Sequence, residues 1–119
     1  MKLLIVDDSE IIRIAIENYL KSSGIEIVGQ AGDGVEALEI FKNKKPDIVT
    51  MDITMPEMDG LTCMQEMLKI NSDVKVIVIT ALSKKDVAIE ALQKGAKRFL
   101  KKPFKEEELV DNIKKIMES

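Results

Sequence analysis

The stretch from residue 48 to residue 60 decides how the chain is organised, and it reads Ile48-Val49-Thr50-Met51-Asp52-Ile53-Thr54-Met55-Pro56-Glu57-Met58-Asp59-Gly60. A short apolar run ends at Asp52, and a loop marked by Pro56 and Gly60 follows it. A run of this length, preceded by Pro46, is typical of a buried strand and too short for a helix. Asp52 is therefore predicted at the carboxyl end of a strand, the edge where open α/β sheets bind ligands.

Four further runs of strand character alternate with segments of helical spacing on either side of this stretch. Strands are predicted at residues 3–6, 25–31, 48–51, 74–79 and 98–101. Ser9, Asp33 and Ser83 are predicted to begin helices, and Gly95 is predicted as a left-handed residue that ends one. Because the connections are too long for hairpins, the strands should be parallel with right-handed crossovers. The pattern predicts a three-layer α/β sandwich with five strands and five helices.

Helical spacing also predicts which side chains face the core. In chain order, the predicted inward residues of the five helices are Ile11, Ile12, Ala15, Ile16, Tyr19 and Leu20; Val35, Leu38 and Phe41; Leu61, Met64 and Leu68; Val87, Ala88, Ala91 and Leu92; and Leu109, Val110, Ile113, Ile116 and Met117. The strand at 25–31 alternates more than the others, which favours an edge position. Ile89 falls outside its helix's inward stripe, so it is either a scattered surface residue or part of a docking face beside Phe99.

Composition limits the classes of protein to which the chain can belong. Its 119 residues, 45% of them hydrophobic, match one domain spanning residues 1–119. The net charge of −3, the lack of a basic stripe and the few aromatic residues argue against a nucleic-acid partner. No apolar run is long enough to span a bilayer or form a signal peptide, which favours the cytoplasm. One cysteine and no histidine exclude an internal disulfide, a cysteine-clustered metal site and histidine-based catalysis.

The predicted strand ends bring five polar residues to the carboxyl edge: Asp7, Asp8, Asp52, Thr80 and Lys102. Each residue alone is weak evidence, because acids after a strand often only cap a helix and lone lysines are mostly surface residues. Together, however, three crowded carboxylates repel one another unless a cation lies among them. Such oxygen ligands suit Mg²⁺, which completes its coordination with water and phosphate oxygens. The set therefore indicates phosphoryl transfer, with Asp52 as the central candidate nucleophile, Thr80 as a hydroxyl donor and Lys102 as a positive charge.

Five motifs stand in a characteristic order and spacing: Leu4-Ile5-Val6-Asp7-Asp8, Pro46-Asp47-Ile48-Val49-Thr50-Met51-Asp52, Met55-Pro56-Glu57-Met58-Asp59-Gly60, Thr80-Ala81 and Lys102-Pro103-Phe104. With these motifs the whole chain resembles the receiver domains of two-component response regulators. The resemblance implies a flavodoxin-like fold whose parallel sheet has the strand order 2-1-3-4-5. It also implies a signalling switch that assists its own phosphorylation and dephosphorylation, and not a turnover enzyme.

The resemblance assigns a chemical role to each residue that matches the motifs. It implies that Asp52 accepts a phosphoryl group from a phosphohistidine of a histidine kinase. Asp8, Asp52 and the backbone carbonyl of Thr54 would bind Mg²⁺, while Asp7 would act mainly through a water molecule. The residues two beyond the phosphoacceptor and two beyond the threonine, here Thr54 and Leu82, would set the lifetime of the phosphoryl group. Neither is an acid or an amide, so we expect moderate to slow self-dephosphorylation.

The resemblance also implies a conformational switch. Thr80 would move toward the phosphoryl group, Lys102 would pair with it, and Phe99 would turn inward into the space that Thr80 leaves. A cis peptide bond is expected between Lys102 and Pro103. The fourth helix, fifth strand and fifth helix would then present a changed face to an output protein. Many chemotaxis members of the family have a tyrosine at the position of Phe99, so an output contact through that hydroxyl is not available here.

Other functions for the same fold remain to be weighed. An FMN-binding protein is disfavoured, because the acids that follow the first strand would repel the flavin phosphate. An aspartyl-phosphate phosphatase would need a second acid at Thr54, and a purely structural adaptor is left open by the residues alone. The chain is most like the stand-alone chemotaxis members, which predicts a monomer that binds a flagellar motor switch component. The alternatives are a phosphorelay intermediate or a receiver from a longer regulator with an output domain.

Overall fold

The computed structural model describes residues 1–55, 57–81 and 85–118. Within these ranges strands and helices alternate along the chain: β1 (Lys2–Val6), α1 (Glu10–Tyr19), β2 (Glu26–Ala31), α2 (Gly34–Lys44), β3 (Ile48–Met51), α3 (Gly60–Ile70), β4 (Lys75–Thr80), α4 (Lys85–Gln93), β5 (Arg98–Lys101) and α5 (Glu106–Glu118). The strands form one parallel sheet of order β2-β1-β3-β4-β5. This confirms the predicted fold and strand order, including the edge position of β2. No helix in these ranges has the length and apolar character needed to cross a membrane.

The core lies in two layers, one on each face of the sheet. Successive side chains of a strand point to opposite faces, and β1 shows this directly. Leu3 and Ile5 pack in the layer between the sheet and the pair α1 and α5, whereas Leu4 and Val6 pack in the layer toward α2, α3 and α4. The central strands β1 and β3 are covered on both sides, which is why their sequences read as continuous apolar runs.

Local hydrogen bonds explain where the helices begin and end. The side chains of Ser9, Asp33 and Asp59 each accept a hydrogen bond from the amide three residues later, at 3.3, 2.8 and 3.0 Å. These contacts are the ordinary caps of helix N-termini. Gly95, just after α4, has a φ of +120°, a positive value as predicted. The predicted cap at Ser83, together with Pro56 and Leu82, lies outside the described residues.

Four residues that helical spacing assigned to the core are exposed instead: Ile11 (79%), Val35 (57%), Leu92 (47%) and Met117 (36%). These assignments were wrong, because the stripe of each helix that meets the sheet is narrower than the apolar pattern. Ile16 defines the buried side of α1, and Ile11 lies about 140° around the helix from it. Leu92 lies about 100° from the buried Ala91. Ile89, placed outside the inward stripe by its spacing, is exposed as predicted.

Candidate functional site

Four strands deliver polar residues to one edge of the sheet, as the sequence predicted. Asp7 and Asp8 directly follow β1, Asp52 follows β3, Thr80 ends β4, and Lys102 follows β5. The backbone ladder continues into these residues. The amides of Asp7, Asp52 and Lys102 donate to carbonyl oxygens of the neighbouring strands at 3.0, 3.0 and 2.8 Å. The side chains are therefore positioned by the sheet itself.

One ammonium group faces the carboxylates at this edge in the described part of the chain. Lys102 Nζ lies 2.6 Å from Asp7 Oδ2 and 3.8 Å from Asp52 Oδ2. Asp7 and Asp52 are 1% and 5% exposed. The pKa of Asp52 is raised to about 6, chiefly because burial removes its hydration and also because the charge of Asp7 is close, while Lys102 only partly opposes these two effects. The edge therefore carries negative charge that its own lysine does not neutralise.

The two buried carboxylates are held differently. Asp7 Oδ1 accepts a hydrogen bond from the Ser9 amide at 2.9 Å, and its Oδ2 pairs with Lys102. Asp52 Oδ1 accepts from the Thr54 amide at 3.4 Å, a long contact, and its Oδ2 is 3.8 Å from Lys102. Lysine was expected to serve the phosphoryl group, and here it lies closer to Asp7. Asp52 is thus the more weakly held carboxylate and the one better able to react.

The acids at this edge fit a divalent cation. Asp7, Asp8 and Asp52 each offer an oxygen atom, and these three atoms lie within 4.8 Å of one another. Mg²⁺ prefers oxygen ligands and usually takes only one or two carboxylates, keeping water on its other sides. Asp8 is exposed, so solvent can reach the cluster from that side. The donor set and its uncompensated charge suit a magnesium ion.

Gly60 has a role at the site beyond the turn that the sequence predicted. Its amide donates to the Ile53 carbonyl at 2.8 Å, which folds the loop back toward the end of β3. A Cβ on Gly60 would lie 2.0 Å from the carbonyl oxygen of Asp52 and 2.7 Å from Ile53 Cα. Only glycine therefore allows α3 to start this close to Asp52.

Arg13 is a site neighbour that sequence reasoning missed. Its Nη1 donates to the backbone carbonyl of Asp7 at 2.5 Å, so α1 is tied to the end of β1. The position of Arg13 six residues after Asp7 did not by itself indicate a backbone contact.

The predicted switch residues Thr80 and Phe99 lie on the neighbouring strands β4 and β5. Thr80 is 1% exposed at the end of β4. Phe99 is half-buried on β5, opposite Val78, and packs against the core layer that includes Ala91 of α4. The peptide bond between Lys102 and Pro103 is cis, as expected. Thr54 is exposed and turns its amide toward Asp52.

Comparisons with known proteins give the family. The sequence profile described as the response regulator receiver domain matches residues 3–114. A chemotaxis protein CheY from Thermotoga maritima is 43% identical over 115 residues, covering 97% of this chain and 96% of that protein. An uncharacterized transcriptional regulatory protein, YhcZ of Bacillus subtilis, is 40% identical over 111 residues, which cover 92% of this chain and 52% of that protein. The CheY-like chain in a crystal structure of the CheX-CheY-BeF3-Mg complex from Borrelia burgdorferi is 37% identical, with a TM-score of 0.94 and coverage of 98% of this chain and 89% of that one.

Proposed function

The chain belongs to the receiver domains of response regulators, and we propose that it is a phosphoryl-accepting switch in which Asp52 takes a phosphoryl group from a histidine kinase. The observation that carries this proposal is the position of Asp52. It is a buried carboxylate with a raised pKa, it lies within 4.8 Å of two further acids, and it faces Lys102. A domain spanning residues 1–119 is the unit that we assign to this function.

Asp52 acts as the nucleophile in its deprotonated form. Because its pKa is about 6, most Asp52 side chains are carboxylates at neutral pH and are more basic than an ordinary aspartate. A carboxylate oxygen forms a bond to phosphorus while the P–N bond to the donor histidine breaks. The electron pair of that bond stays with the imidazole nitrogen, and an acyl phosphate remains on Asp52.

The acidic cluster would hold a magnesium ion during this step. Asp8, Asp52 and the backbone carbonyl of Thr54 are the proposed direct ligands, and Asp7 contributes mainly through water. When bound, the ion neutralises the charge that builds up on the phosphoryl oxygens. Support for this assignment comes from the three oxygen atoms that the structure brings together and from the uncompensated charge around them.

Thr80 and Lys102 bind the phosphoryl group, and Phe99 changes its conformation in response. The Thr80 hydroxyl donates to a phosphoryl oxygen, and Lys102 exchanges part of its pairing with Asp7 for the new negative charge. The movement of Thr80 opens space into which Phe99 rotates. The altered surface of α4, β5 and α5 then binds the output partner.

The relatives favour a role in chemotaxis, with a flagellar motor switch component as the output partner. The support is the chain's similarity to chemotaxis proteins along almost the full length of both sequences. We propose a cytoplasmic monomer that takes phosphoryl groups from a histidine kinase and is not a turnover enzyme. A receiver that serves an output domain, or a phosphorelay intermediate, is the second candidate. The similarity to half of YhcZ is the observation that favours a receiver with an output domain.

The decisive experiment is phosphorylation followed by intact mass spectrometry. The chain is incubated with Mg²⁺ and acetyl phosphate, and the mass of one phosphoryl group should be added. Asp52→Asn should abolish the adduct, whereas Asp47→Asn, which removes an exposed acid at the opposite sheet edge, should keep it. No adduct on the native chain, or an undiminished adduct in Asp52→Asn, would overturn the assignment.

A separate measurement tests the output partner. Purified flagellar switch protein should bind the phosphorylated chain more tightly than the unphosphorylated one. An equal affinity in the two states would reject the motor assignment and leave the receiver assignment in place, because phosphorylation is measured independently.

A further inference from the structure

An apolar cavity of about 330 Å³ adjoins the phosphoacceptor edge. Its walls come from α1, through Ile12, Ala15 and Tyr19, and from the segment after β5, through Pro103 and Phe104. The rings of Tyr19 and Phe104 meet edge to face, with centroids 6.2 Å apart and planes at 82°. The cavity is therefore a built feature with aliphatic and aromatic walls.

Two residues connect this cavity to the chemistry at Asp52. Lys102 lines the cavity, and its Nζ lies 3.8 Å from Asp52 Oδ2. Ala81 also lines it and directly follows Thr80, the buried threonine at the end of β4. Lys102 and Ala81 therefore place one wall of the cavity beside the acids of this edge.

The cavity lies beside Lys102, close enough to Asp52 to take part of a leaving group. In phosphoryl transfer the attacking and leaving oxygens lie on opposite sides of phosphorus, so the leaving group lies beyond the phosphoryl group as seen from Asp52. An apolar space beside Lys102 suits a leaving group that combines a carboxylate with a short hydrocarbon chain. The carboxylate would stay near the ammonium, and the chain would be removed from water.

We propose that this cavity makes the domain selective among acyl phosphates. Donors with an aliphatic acyl chain somewhat longer than acetyl, such as propionyl and butyryl phosphate, are preferred to acetyl phosphate. The inference rests on the proposed phosphoacceptor function and adds a class of substrate to it. In the reaction an Asp52 oxygen forms a bond to phosphorus and the P–O bond to the acyl group breaks. The carboxylate departs with the electron pair, and no proton or further reactant is needed.

A donor series tests this selectivity. Acetyl, propionyl and butyryl phosphate release carboxylic acids of nearly equal acidity, so their intrinsic reactivities are similar. The second-order rate constant of Asp52 phosphorylation is measured by intact mass with Mg²⁺ present and divided by the rate constant for phosphoramidate, which has no acyl chain. We expect this ratio to rise roughly two- to fourfold for each added methylene, the effect of burying part or all of a CH₂ group.

Two variants show whether the preference arises in the cavity. Ala15→Leu fills the space from α1 and should flatten the ratio across the series. Ile11→Ala alters an exposed residue of the same helix that does not line the cavity, and it should preserve the rise. If Ala15→Leu does not fold, Phe104→Ala provides the second test, because it enlarges the cavity and should shift the preference to longer chains.

The outcomes separate this inference from the proposed function. Equal or falling ratios along the series would overturn the inference, and so would a rise that persists in Ala15→Leu. If no donor phosphorylates the chain, the phosphoacceptor assignment fails, and this inference fails with it. If all donors phosphorylate Asp52 at rates that do not depend on the length of the acyl chain, only the inferred donor selectivity would be overturned.

Discussion

Both edges of the sheet carry acids on the continuing backbone ladder, but the acid of one edge is exposed and those of the other are mostly buried. At the amino edge the exposed Asp47 accepts a hydrogen bond from the Lys2 amide at 2.8 Å, and its own amide and carbonyl continue the ladder to β1 and β4. At the carboxyl edge Asp7 and Asp52 are buried, and they share Lys102. The amino edge places its acid in water, where the charge costs little. The carboxyl edge carries uncompensated negative charge that a bound cation would neutralise.

The difference extends to how tightly the backbone is packed. Gly60, at the carboxyl edge, has the carbonyl of Asp52 in the place where a side chain would begin. Gly24, at the amino edge, has nothing within 4 Å of that place, and it is required only by its φ of +81°. The loop is therefore packed tightly against the end of β3 at Gly60, whereas the amino edge has room at Gly24.

The largest expected effect comes from filling that crowded position. Gly60→Ala should lower the free energy of unfolding by about 3–4 kcal/mol, because the new methyl group overlaps backbone atoms that cannot move without displacing Asp52. Gly24→Ala should cost only about 1–2 kcal/mol, the price of a left-handed backbone for alanine. Urea denaturation followed by circular dichroism measures both. Equal losses in the two variants would show that the edges do not differ in packing.

Magnesium should stabilise the carboxyl edge alone. At a concentration about a hundredfold above its Kd, Mg²⁺ should raise the free energy of unfolding by about 2.7 kcal/mol, because it binds the folded acids and not the unfolded chain. Asp8→Asn should remove most of this increment, and since Asp8 is exposed the substitution should leave packing intact. Asp47→Asn should retain the full increment. An increment that survives in Asp8→Asn would place the ion elsewhere.

Removing the charge of Asp52 should also stabilise the fold in the absence of Mg²⁺. Asp52→Asn should raise the free energy of unfolding at pH 7.5 by about 1–2 kcal/mol, because the amide relieves both the loss of hydration and the repulsion from Asp7. Thermal and urea denaturation in a chelating buffer measure the change. A destabilised variant would mean that Lys102 outweighs these two costs.

The difference in the free energy of unfolding between the native chain and Asp52→Asn should depend on pH, and this dependence tests the raised pKa of Asp52 independently. The pKa of Asp52 is raised from 3.8 to about 6 in the folded chain, so the folded state holds this proton more tightly than the unfolded state does. The proton's contribution to stability is complete below pH 3.8 and is lost as the pH rises through about 6. The native chain should therefore match Asp52→Asn most closely near pH 4 and fall behind it between pH 4 and pH 7. A gap that does not change with pH would contradict the raised pKa.

Much of this molecule could be predicted from its sequence because local signals and the fold agree. The apolar runs bounded by proline, glycine and acids gave the strands, and the parallel order then placed Asp7, Asp52 and Lys102 on one edge. The placement of these residues on one edge depends on where the strands end, and the apolar runs of the sequence show those ends directly. Chemical roles at the edge followed from the residue types and from the resemblance to receiver domains.

The remaining details depend on geometry that spacing does not contain. Ile11 and Val35 sit in apolar patterns, yet the rotation of each helix against the sheet leaves them in solvent. Lys102 follows β5, yet its Nζ lies closer to Asp7, which follows β1, than to Asp52, which follows the intervening strand β3. The cavity beside it arises from two segments far apart in sequence, α1 and the turn after β5. No local pattern predicts contacts of this kind.

The smallest expected effect belongs to the acid of the amino edge, and it tests whether that edge is purely structural. Asp47→Ala removes the acceptor of the Lys2 amide, an exposed hydrogen bond that holds β1 near the start of β3. The free energy of unfolding should fall by about 0.5–1 kcal/mol, since water replaces the lost partner. The increment from Mg²⁺ and the yield of phosphoryl adduct should stay at their native values. A loss of either would mean that the two edges are coupled through β3, and the division between a structural edge and a reactive edge would fail.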